Sequence, residues 1–206
     1  MYKTKQEDFW AGQFGNDYIG RNRSETFLAA NMALFSKIFA THPLTSLVEF
    51  GANIGNNLDA LRLLFPKLEL SAIEINADAS KALRDKAICK EVFEQSILDF
   101  APAHRYDAVL IKGVLIHINP EMLPSVYDKL YASSSKYICL VEYYNPSPVQ
   151  IPYRGHEGFL FKRDFAGEMM ERFPDLQLLD YGFVYRNDPN FPQDDLTWFL
   201  LKKERL

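Results

Sequence analysis

Residues 48–57, Val-Glu-Phe-Gly-Ala-Asn-Ile-Gly-Asn-Asn, carry the strongest fold signal in the sequence. An apolar strand pattern ends at Gly51, and a helical pattern begins just after Gly55. Glycines let the backbone approach a ligand closely, and a helix N-terminus offers free N–H groups. The dinucleotide fingerprint is absent, because Asn53 stands where its middle glycine would lie. We interpret the stretch as a nucleoside-type binding turn; a tight strand–helix turn without a ligand is the alternative.

Strand and helix patterns alternate outward from this turn. The strand patterns cover residues 47–50, 68–75, 91–94, 106–111, 136–144, 176–185 and 196–203, and the helical patterns cover 22–39, 57–65, 77–86, 121–132 and 162–172. Alternation with short connections predicts βαβ units in a mostly parallel sheet covered on both faces. The last two strands have no helix between them, which predicts an antiparallel hairpin. We therefore expect an α/β protein with a Rossmann-like, doubly wound sheet that ends in a C-terminal antiparallel hairpin.

The overall composition limits the classes of function. The 206 residues carry a net charge of −4, which argues against a protein that coats nucleic acid. No apolar run reaches about 18 residues, and the start of the chain is polar. We therefore expect neither a membrane span nor a signal peptide, and we expect a cytoplasmic protein. No histidine or cysteine pair shows a metal-ligand spacing, so no metal is expected.

Aromatic residues are unusually frequent, at 14% of the chain. Such a surplus indicates either an aromatic core or aromatic walls around a ligand. The aromatics of residues 9–18 and 143–153 lie near the start of the chain and after the fifth strand, and we assign them to a pocket. We assign the aromatics of the C-terminal hairpin to the core: Tyr181, Phe183, Tyr185, Phe191, Trp198 and Phe199.

Polar residues follow the carboxyl ends of the second and third strands. Glu74 ends the second strand, where an acidic side chain can accept hydrogen bonds from both ribose hydroxyls. The alternative is a solvated carboxylate near a helix start. Ser96 follows the third strand and can meet an adenine edge, while Ile97 can cover the adenine face. The alternative for this pair is an ordinary loop.

A histidine follows the fourth strand, in residues 111–120, Ile-Lys-Gly-Val-Leu-Ile-His-Ile-Asn-Pro. Strand carboxyl ends form the ligand crevice in open α/β sheets. His117 is therefore a candidate for a general base or a hydrogen-bonding positioner. A histidine that only fixes the loop geometry is the alternative.

Together these features resemble the class I S-adenosylmethionine (SAM)-dependent methyltransferases. The turn at residues 49–55 resembles their first motif, Glu74 their ribose-binding acid, and residues 106–109 the start of their fourth strand. Five further stretches are similar to the small methyltransferase family associated with pseudaminic acid biosynthesis, and this similarity spans nearly the whole chain. These stretches are residues 9–19, 112–120, 142–146, 153–157 and 163–168.

The resemblance implies a single methyltransferase domain over residues 1–206 with SAM as its cofactor. Residues 1–40 would form an N-terminal helical lid or cap, residues 41–206 the core, and residues 145–162 an insertion on the acceptor side. A purely structural cap is the alternative for the N-terminal segment. The implied cofactor-binding residues are Trp10, Arg23, Glu49, Gly51, Ala52, Asn53, Gly55, Glu74, Ile75, Ser96, Ile97, Lys112 and Gly113, with Arg21 an alternative to Arg23.

The resemblance also implies a small polar acceptor, which we expect to be a sugar or a sugar-nucleotide intermediate. Arg154 suits an anionic group, unless it only pairs with a nearby acid. A hydroxyl or a protonated amine would need a general base. The candidate bases are His117, His156 and Glu142, and the candidate acceptor-binding residues are Tyr18, Tyr143, Tyr144, Tyr153 and Arg154.

Two other functions stay open. An RNA methyltransferase is the first, although the acidic balance and the lack of a Lys/Arg run count against it. A module that keeps the cofactor fold without turnover is the second. We expect no membrane partner and no nucleic acid, and the oligomeric state is left open.

Overall fold

The computed structural model describes residues 2–20 and 24–204. The helices are α1 (Lys5–Ala11), α2 (Gln13–Tyr18), α3 (Glu25–Phe39), α4 (Asn56–Leu64), α5 (Ala77–Asp85), α6 (Leu123–Ser133) and α7 (Phe165–Arg172). The strands are β1 (Ser46–Phe50), β2 (Glu69–Glu74), β3 (Glu91–Glu94), β4 (Tyr106–Lys112), β5 (Ser134–Glu142), β6 (Val149–Gln150), β7 (Phe161–Lys162), β8 (Leu176–Val184) and β9 (Leu196–Lys203). Short 3₁₀ turns occur at Leu115–His117 and Pro120–Met122.

The main sheet has seven strands in the order β3-β2-β1-β4-β5-β9-β8. The first five are parallel, β9 runs antiparallel to β5, and β8 runs antiparallel to β9. The predicted fold class is therefore confirmed, including the C-terminal hairpin. Strands β6 and β7 form a separate antiparallel pair in the predicted insertion.

Helices pack on both faces of the sheet and bury two apolar cores. One core joins α3, α4 and α5 to the sheet, through residues such as Phe35, Leu58 and Leu83. The other joins α6 and α7 to the opposite face, through residues such as Val126 and Met169. This two-sided burial explains the uninterrupted apolar character of the central strands.

Side-chain caps set several helix starts. The Ser24 side chain accepts a hydrogen bond from Phe27 N at 3.1 Å and begins α3. The Asp164 side chain accepts one from Gly167 N at 2.8 Å and begins α7. The predicted helix at 162–172 was therefore too long at its start, because Lys162 still belongs to β7. Capping oxygens satisfy orphan N–H groups and so mark the true helix boundary.

The assignment of the hairpin aromatics to the core is only partly right. Trp198 is fully buried, whereas Tyr181, Phe183, Tyr185 and Phe191 are between 47% and 63% exposed. Strand β8 is the edge strand of the sheet, so its side chains have strand neighbours on one side only. The structure thus exposes an aromatic surface that the composition did not reveal.

The longest described helix, α3, has 15 residues. Within residues 2–20 and 24–204, no helix combines the length and apolarity needed to cross a membrane.

Candidate functional site

A cavity of about 370 Å³ opens at the carboxyl ends of the parallel strands. Open α/β sheets bind their ligands at this edge, because the loops after neighbouring strands converge there. Segments that follow β1 to β5 line the cavity, together with α1, α2 and the connection between β8 and β9.

The glycine turn after β1 forms the floor of one end of the cavity. Gly51 has a φ of +75°, and a Cβ atom there would lie 2.7 Å from Val114 Cγ2. Only glycine suits this position. Any other residue would be strained at this positive φ, and its side chain would collide with Val114. Ala52 and Asn53 also line the cavity. Gly55 instead precedes α4 with a φ of +82° and packs closely against Leu83 of α5. Gly55 therefore contacts a helix and does not line the cavity.

Glu74 lies beside this turn, at the end of β2. Its Oε2 accepts a hydrogen bond from Asn53 N at 2.6 Å, and its Oε1 accepts one from Asn76 N at 2.7 Å. Burial raises the pKa of this carboxyl group. Each carboxylate oxygen has a second lone pair, so Glu74 can also accept hydrogen bonds from the hydroxyl groups of a ligand. Glu74 and Ile75 both line the cavity.

The loop after β3 closes the same end of the cavity. Ser96 donates a hydrogen bond to the Glu7 carboxylate and accepts one from Leu98 N at 2.9 Å. Glu7 also accepts from Thr4 N at 2.9 Å in a capping box, so α1 is attached to the β3 loop. The sequence indicated Ser96 and Ile97 but not Thr4, Gln6 or Glu7, which also line the cavity. A capping box is a local signal that could have located α1.

The N-terminal helices cover the cavity through aromatic contacts. The Trp10 ring lies 4.8 Å from the His117 ring and 5.3 Å from the Tyr18 ring, measured between centroids. Asn76 Nδ2 donates to Trp10 O at 3.2 Å, so α1 is also tied to the start of α5. The predicted cofactor residue Arg23 and its alternative Arg21 lie outside the described residues.

His117 is buried and lines the middle of the cavity. Its Nδ1 lies 2.6 Å from the Phe159 carbonyl oxygen. A carbonyl can only accept, so Nδ1 carries the proton and the neutral ring presents Nε2 as an acceptor. Burial lowers the His117 pKa to about 4, against the opposing effect of this hydrogen bond. The imidazole is therefore neutral near pH 7.

Lys112 places a partly buried amine at the end of β4. Its Nζ donates to Asn31 Oδ1 at 2.7 Å and to Asn57 Oδ1 at 3.4 Å. Burial lowers the Lys112 pKa to about 8. Glu49 lies beneath, with Oε1 accepting from Asn57 Nδ2 at 2.6 Å, and burial raises the Glu49 pKa to about 8. Lys112 and Gly113 line the cavity, and Glu49 supports them through Asn57.

The far end of the cavity is polar and aromatic. It is lined by four of the residues that we predict to bind the acceptor: Tyr18, Tyr143, Tyr153 and Arg154. Asp194 also lines this end, near the Tyr143 hydroxyl. Burial and Asp194 raise the pKa of Tyr143.

The connection between β8 and β9 supplies two lining residues that the sequence reasoning missed. Gln193 Nε2 donates to Ala30 O at 2.9 Å and thereby ties this connection to α3, next to Asp194. No local pattern in residues 186–195 distinguishes these side chains from those of an ordinary polar loop.

Arg154 occupies a tight turn at the mouth of the far end. Tyr153 and His156 exchange two backbone hydrogen bonds of 2.8 and 2.9 Å. Arg154 and Gly155 between them have φ values of +50° and +83°, as in a type I′ turn. Asn and Gly are preferred at such positions, so an arginine there is conformationally strained.

Five of the predicted site residues that the structure describes lie outside the cavity lining: Glu49, Gly55, Glu142, Tyr144 and His156. Glu142 accepts hydrogen bonds at 2.9 Å from Val114 N and from Leu115 N, so it holds the loop after β4. Burial raises the Glu142 pKa to about 8. The exposed His156 ring packs 5.1 Å from Phe9, and Tyr144 is 42% exposed on the outer surface.

No protein-family model and no curated protein matches the sequence. Solved structures match the fold over nearly the whole chain. The magnesium protoporphyrin IX methyltransferase from Synechocystis PCC 6803, with bound SAM, is 11% identical with a TM-score of 0.67, over 99% of this chain and 100% of that chain. A SAM-dependent methyltransferase from Leishmania major is 13% identical with a TM-score of 0.73, over 97% of this chain and 87% of that chain.

A third similar structure is the 1,6-didemethyltoxoflavin-N1-methyltransferase from Burkholderia thailandensis. It is 14% identical with a TM-score of 0.68, over 97% of this chain and 87% of that chain. At such identities the likeness concerns the fold. This chain therefore has the class I methyltransferase fold, with its cavity at the edge of the sheet where that fold binds ligands.

Proposed function

We propose that this protein is a SAM-dependent methyltransferase that acts on a small polar acceptor. One observation carries the proposal: a single cavity joins the glycine turn after β1 and Glu74 after β2 to a polar, aromatic chamber. The first part has the features of a nucleoside site, and the second part has room and hydrogen-bonding groups for another small molecule. Structures of the same fold hold SAM or S-adenosylhomocysteine, which supports this reading.

The residues at the first end fit the proposed cofactor. Gly51 lines the cavity with bare backbone, because its φ of +75° and the adjacent Val114 leave no room for a side chain, so a ligand can lie against the backbone. Glu74 would accept the ribose hydroxyls, and Ile75 and Ile97 would contact the adenine. When bound, SAM supplies an electrophilic methyl group on a sulfonium.

The remaining residues would align the acceptor for in-line attack, since positioning supplies most of the rate when the electrophile is already reactive. His117 is our candidate for the group that accepts the acceptor's proton or hydrogen bond, because its neutral ring lines the cavity and has its unprotonated Nε2 as an acceptor. Glu142 is better placed to position the loop that carries His117, since its bonded oxygen accepts two loop N–H groups. His156 packs against aromatic rings outside the lining.

We further propose that the acceptor is a sugar or a sugar-nucleotide intermediate of nonulosonic (pseudaminic) acid metabolism. The sequence stretches that resemble the pseudaminic acid-associated family include residues 112–120 and 153–157, and both contribute to the cavity. Arg154 suits a carboxylate or phosphate of such a molecule, and Asp194 and Gln193 suit its hydroxyl groups.

The first experiment measures S-adenosylhomocysteine binding by calorimetry and then transfer of a labelled methyl group to a panel of metabolites. We expect binding, and labelling of a sugar-type acceptor by the wild type. His117→Gln should keep cofactor binding and lower the transfer rate, and the exposed His104→Gln should change neither. No binding by folded protein at millimolar ligand would overturn the cofactor assignment. Labelling of RNA, with all metabolites inert, would overturn the acceptor class.

A further inference from the structure

The two edges of the main sheet differ in length and in protection. Strand β3 has four residues, and its Glu94 pairs with Arg84 at 2.7 Å. Strand β8 has nine residues, and no described strand pairs with its outer edge. Proteins usually protect such an edge with short strands, lysines, prolines or bulges. Strand β8 contains no lysine or proline, and its bulge at residues 178–180 leaves residues 180–184 in a regular register with β9.

Exposed and half-buried aromatic side chains lie on β8 and beside it, and we call this surface the aromatic edge: Tyr144, Tyr181, Phe183, Tyr185 and Phe199. The Tyr181 and Phe199 rings lie 6.4 Å apart, and the Phe199 and Tyr144 rings lie 6.0 Å apart. Phe183 and Tyr185 form a second pair at 6.3 Å. Tyr181 and Phe183 are 63% and 56% exposed, and they lie beside other exposed rings, unlike the single apolar side chains that are normal on protein surfaces.

We propose that β8 pairs in antiparallel fashion with β8 of a second copy of this chain, about a two-fold axis that passes through Phe183. This register sets Tyr181 opposite Tyr185 of the second copy, and Gly182 opposite Val184. It also sets Asp180 opposite Arg186, whose side chain lies 3.5 Å from Asp195 of its own chain and is still 69% exposed, so opposite charges meet at both ends of the paired segment. A two-fold interface must be complementary to itself, and this segment has that property.

The backbone of β8 is compatible with this register. Beyond the bulge at residues 178–180, the strand keeps one regular register with β9, from Asp180 opposite Leu200 to Val184 opposite Leu196. Successive residues in an antiparallel strand direct their N–H and C=O groups alternately to the two sides. Every second residue of this segment therefore directs these groups away from β9, and a two-fold axis through Phe183 suits either set.

The available surface is sufficient for a weak dimer. An aromatic side chain presents roughly 150–250 Å², so four half-exposed rings offer about 400 Å² per copy. Leu178 and Leu179, at 43% and 41% exposed, and the strand backbone add to this area. Standard interfaces bury about 800 Å² per partner, so we expect the dimer to be weaker than a standard complex and to dissociate on dilution.

The same pairing at the other edge would be unfavourable. The central register of β3 with a second copy sets Glu91 opposite Glu94, so like charges would meet. This contrast is why a second copy is expected at β8 and not at β3.

Analytical ultracentrifugation of the full chain, over a dilution series up to roughly 100 µM, tests the proposal. We expect a reversible monomer–dimer equilibrium. Asp180→Arg and Arg186→Asp should each weaken the dimer at least about tenfold. The double variant should restore most of that loss, because opposite charges again face each other across the axis. Phe183→Lys should give a monomer.

A matched control is Leu63→Lys, since Leu63 is 57% exposed on α4, away from the edge. It should dimerise as the wild type does. Thermal unfolding of each variant at high dilution checks that the fold is kept. A wild type that stays monomeric at the highest concentration would overturn the proposal, and so would a double variant as weak as the single ones. In either case the aromatic edge would have a different occupant.

Discussion

The two ends of the cavity are assembled in different ways. The end with the glycine turn uses residues at or just after the ends of β1, β2 and β3, such as Gly51, Glu74 and Ser96. The far end takes Trp10 from α1, and Asp194 from the distant connection between β8 and β9. Parallel strands bring their carboxyl ends to one edge by themselves. The first end therefore depends on local motifs, whereas the far end depends on how separate loops pack.

The largest effect is expected from a substitution that changes only the end of the cavity with the glycine turn. Gly51→Trp should lower S-adenosylhomocysteine affinity more than about 100-fold, because the side chain fills the turn and the positive φ is strained. Gly20→Trp is the matched control, since a Cβ at this exposed glycine meets nothing within 4 Å. Calorimetry checks both variants, and circular dichroism confirms that each is folded. Wild-type affinity in Gly51→Trp would show that no ligand uses this turn.

A smaller effect is expected at the end of β2. Glu74→Ala should weaken S-adenosylhomocysteine binding by about 1–3 kcal/mol, since it removes a charged acceptor and releases two backbone N–H groups. Glu94→Ala, at the end of the neighbouring strand β3, removes an exposed ion pair and should leave the affinity unchanged. Equal affinities for Glu74→Ala and the wild type would exclude Glu74 from ribose binding.

The stability of the protein should depend on pH through His117, in the middle of the cavity. Its pKa is about 4 in the folded protein and about 6.5 in the unfolded chain, so the unfolded chain binds the proton first as the pH falls. Stability should therefore drop by about 1–2 kcal/mol between pH 7 and pH 5 through this group. Urea unfolding at both pH values should show a shallower drop in His117→Asn. The exposed His104→Asn should keep the wild-type drop, and equal drops in all three proteins would contradict the burial of His117.

The smallest expected effect concerns the strained turn at the far end. Arg154→Asn should stabilise the protein by roughly 0.5–1 kcal/mol, because asparagine suits the first central position of a type I′ turn. It should also raise the KM for an anionic acceptor without changing cofactor affinity. Arg105→Asn, an exposed arginine outside the cavity lining, is the control for loss of charge. Loss of cofactor affinity in Arg154→Asn would mean that the two ends of the cavity are not separable.

The difference between the two ends also explains which residues the sequence could indicate. Gly51 and Glu74 each stand in a strand–turn–helix pattern whose geometry follows from neighbouring residues. Asp194 stands in a polar loop, and its place in the cavity results from the packing of that loop against α3. Glu142 seemed suitable as a base because it ends a buried strand. Only the structure shows that the loop N–H groups of residues 114 and 115 meet its carboxylate.

The sequence by itself determined the order of the strands in the main sheet and of the helices between them, the parallel sheet with its antiparallel hairpin, and the edge at which the cavity opens. These features follow from hydrophobic periodicity and from glycine and capping residues, which act over a few neighbouring positions. The tertiary structure decided which side chains meet across the cavity, the orientation of the His117 ring, and the exposure of Tyr181 and Phe183. Burial and contact between distant segments depend on the whole packed chain, and an apolar strand pattern does not reveal whether a strand lies at the centre or the edge of a sheet.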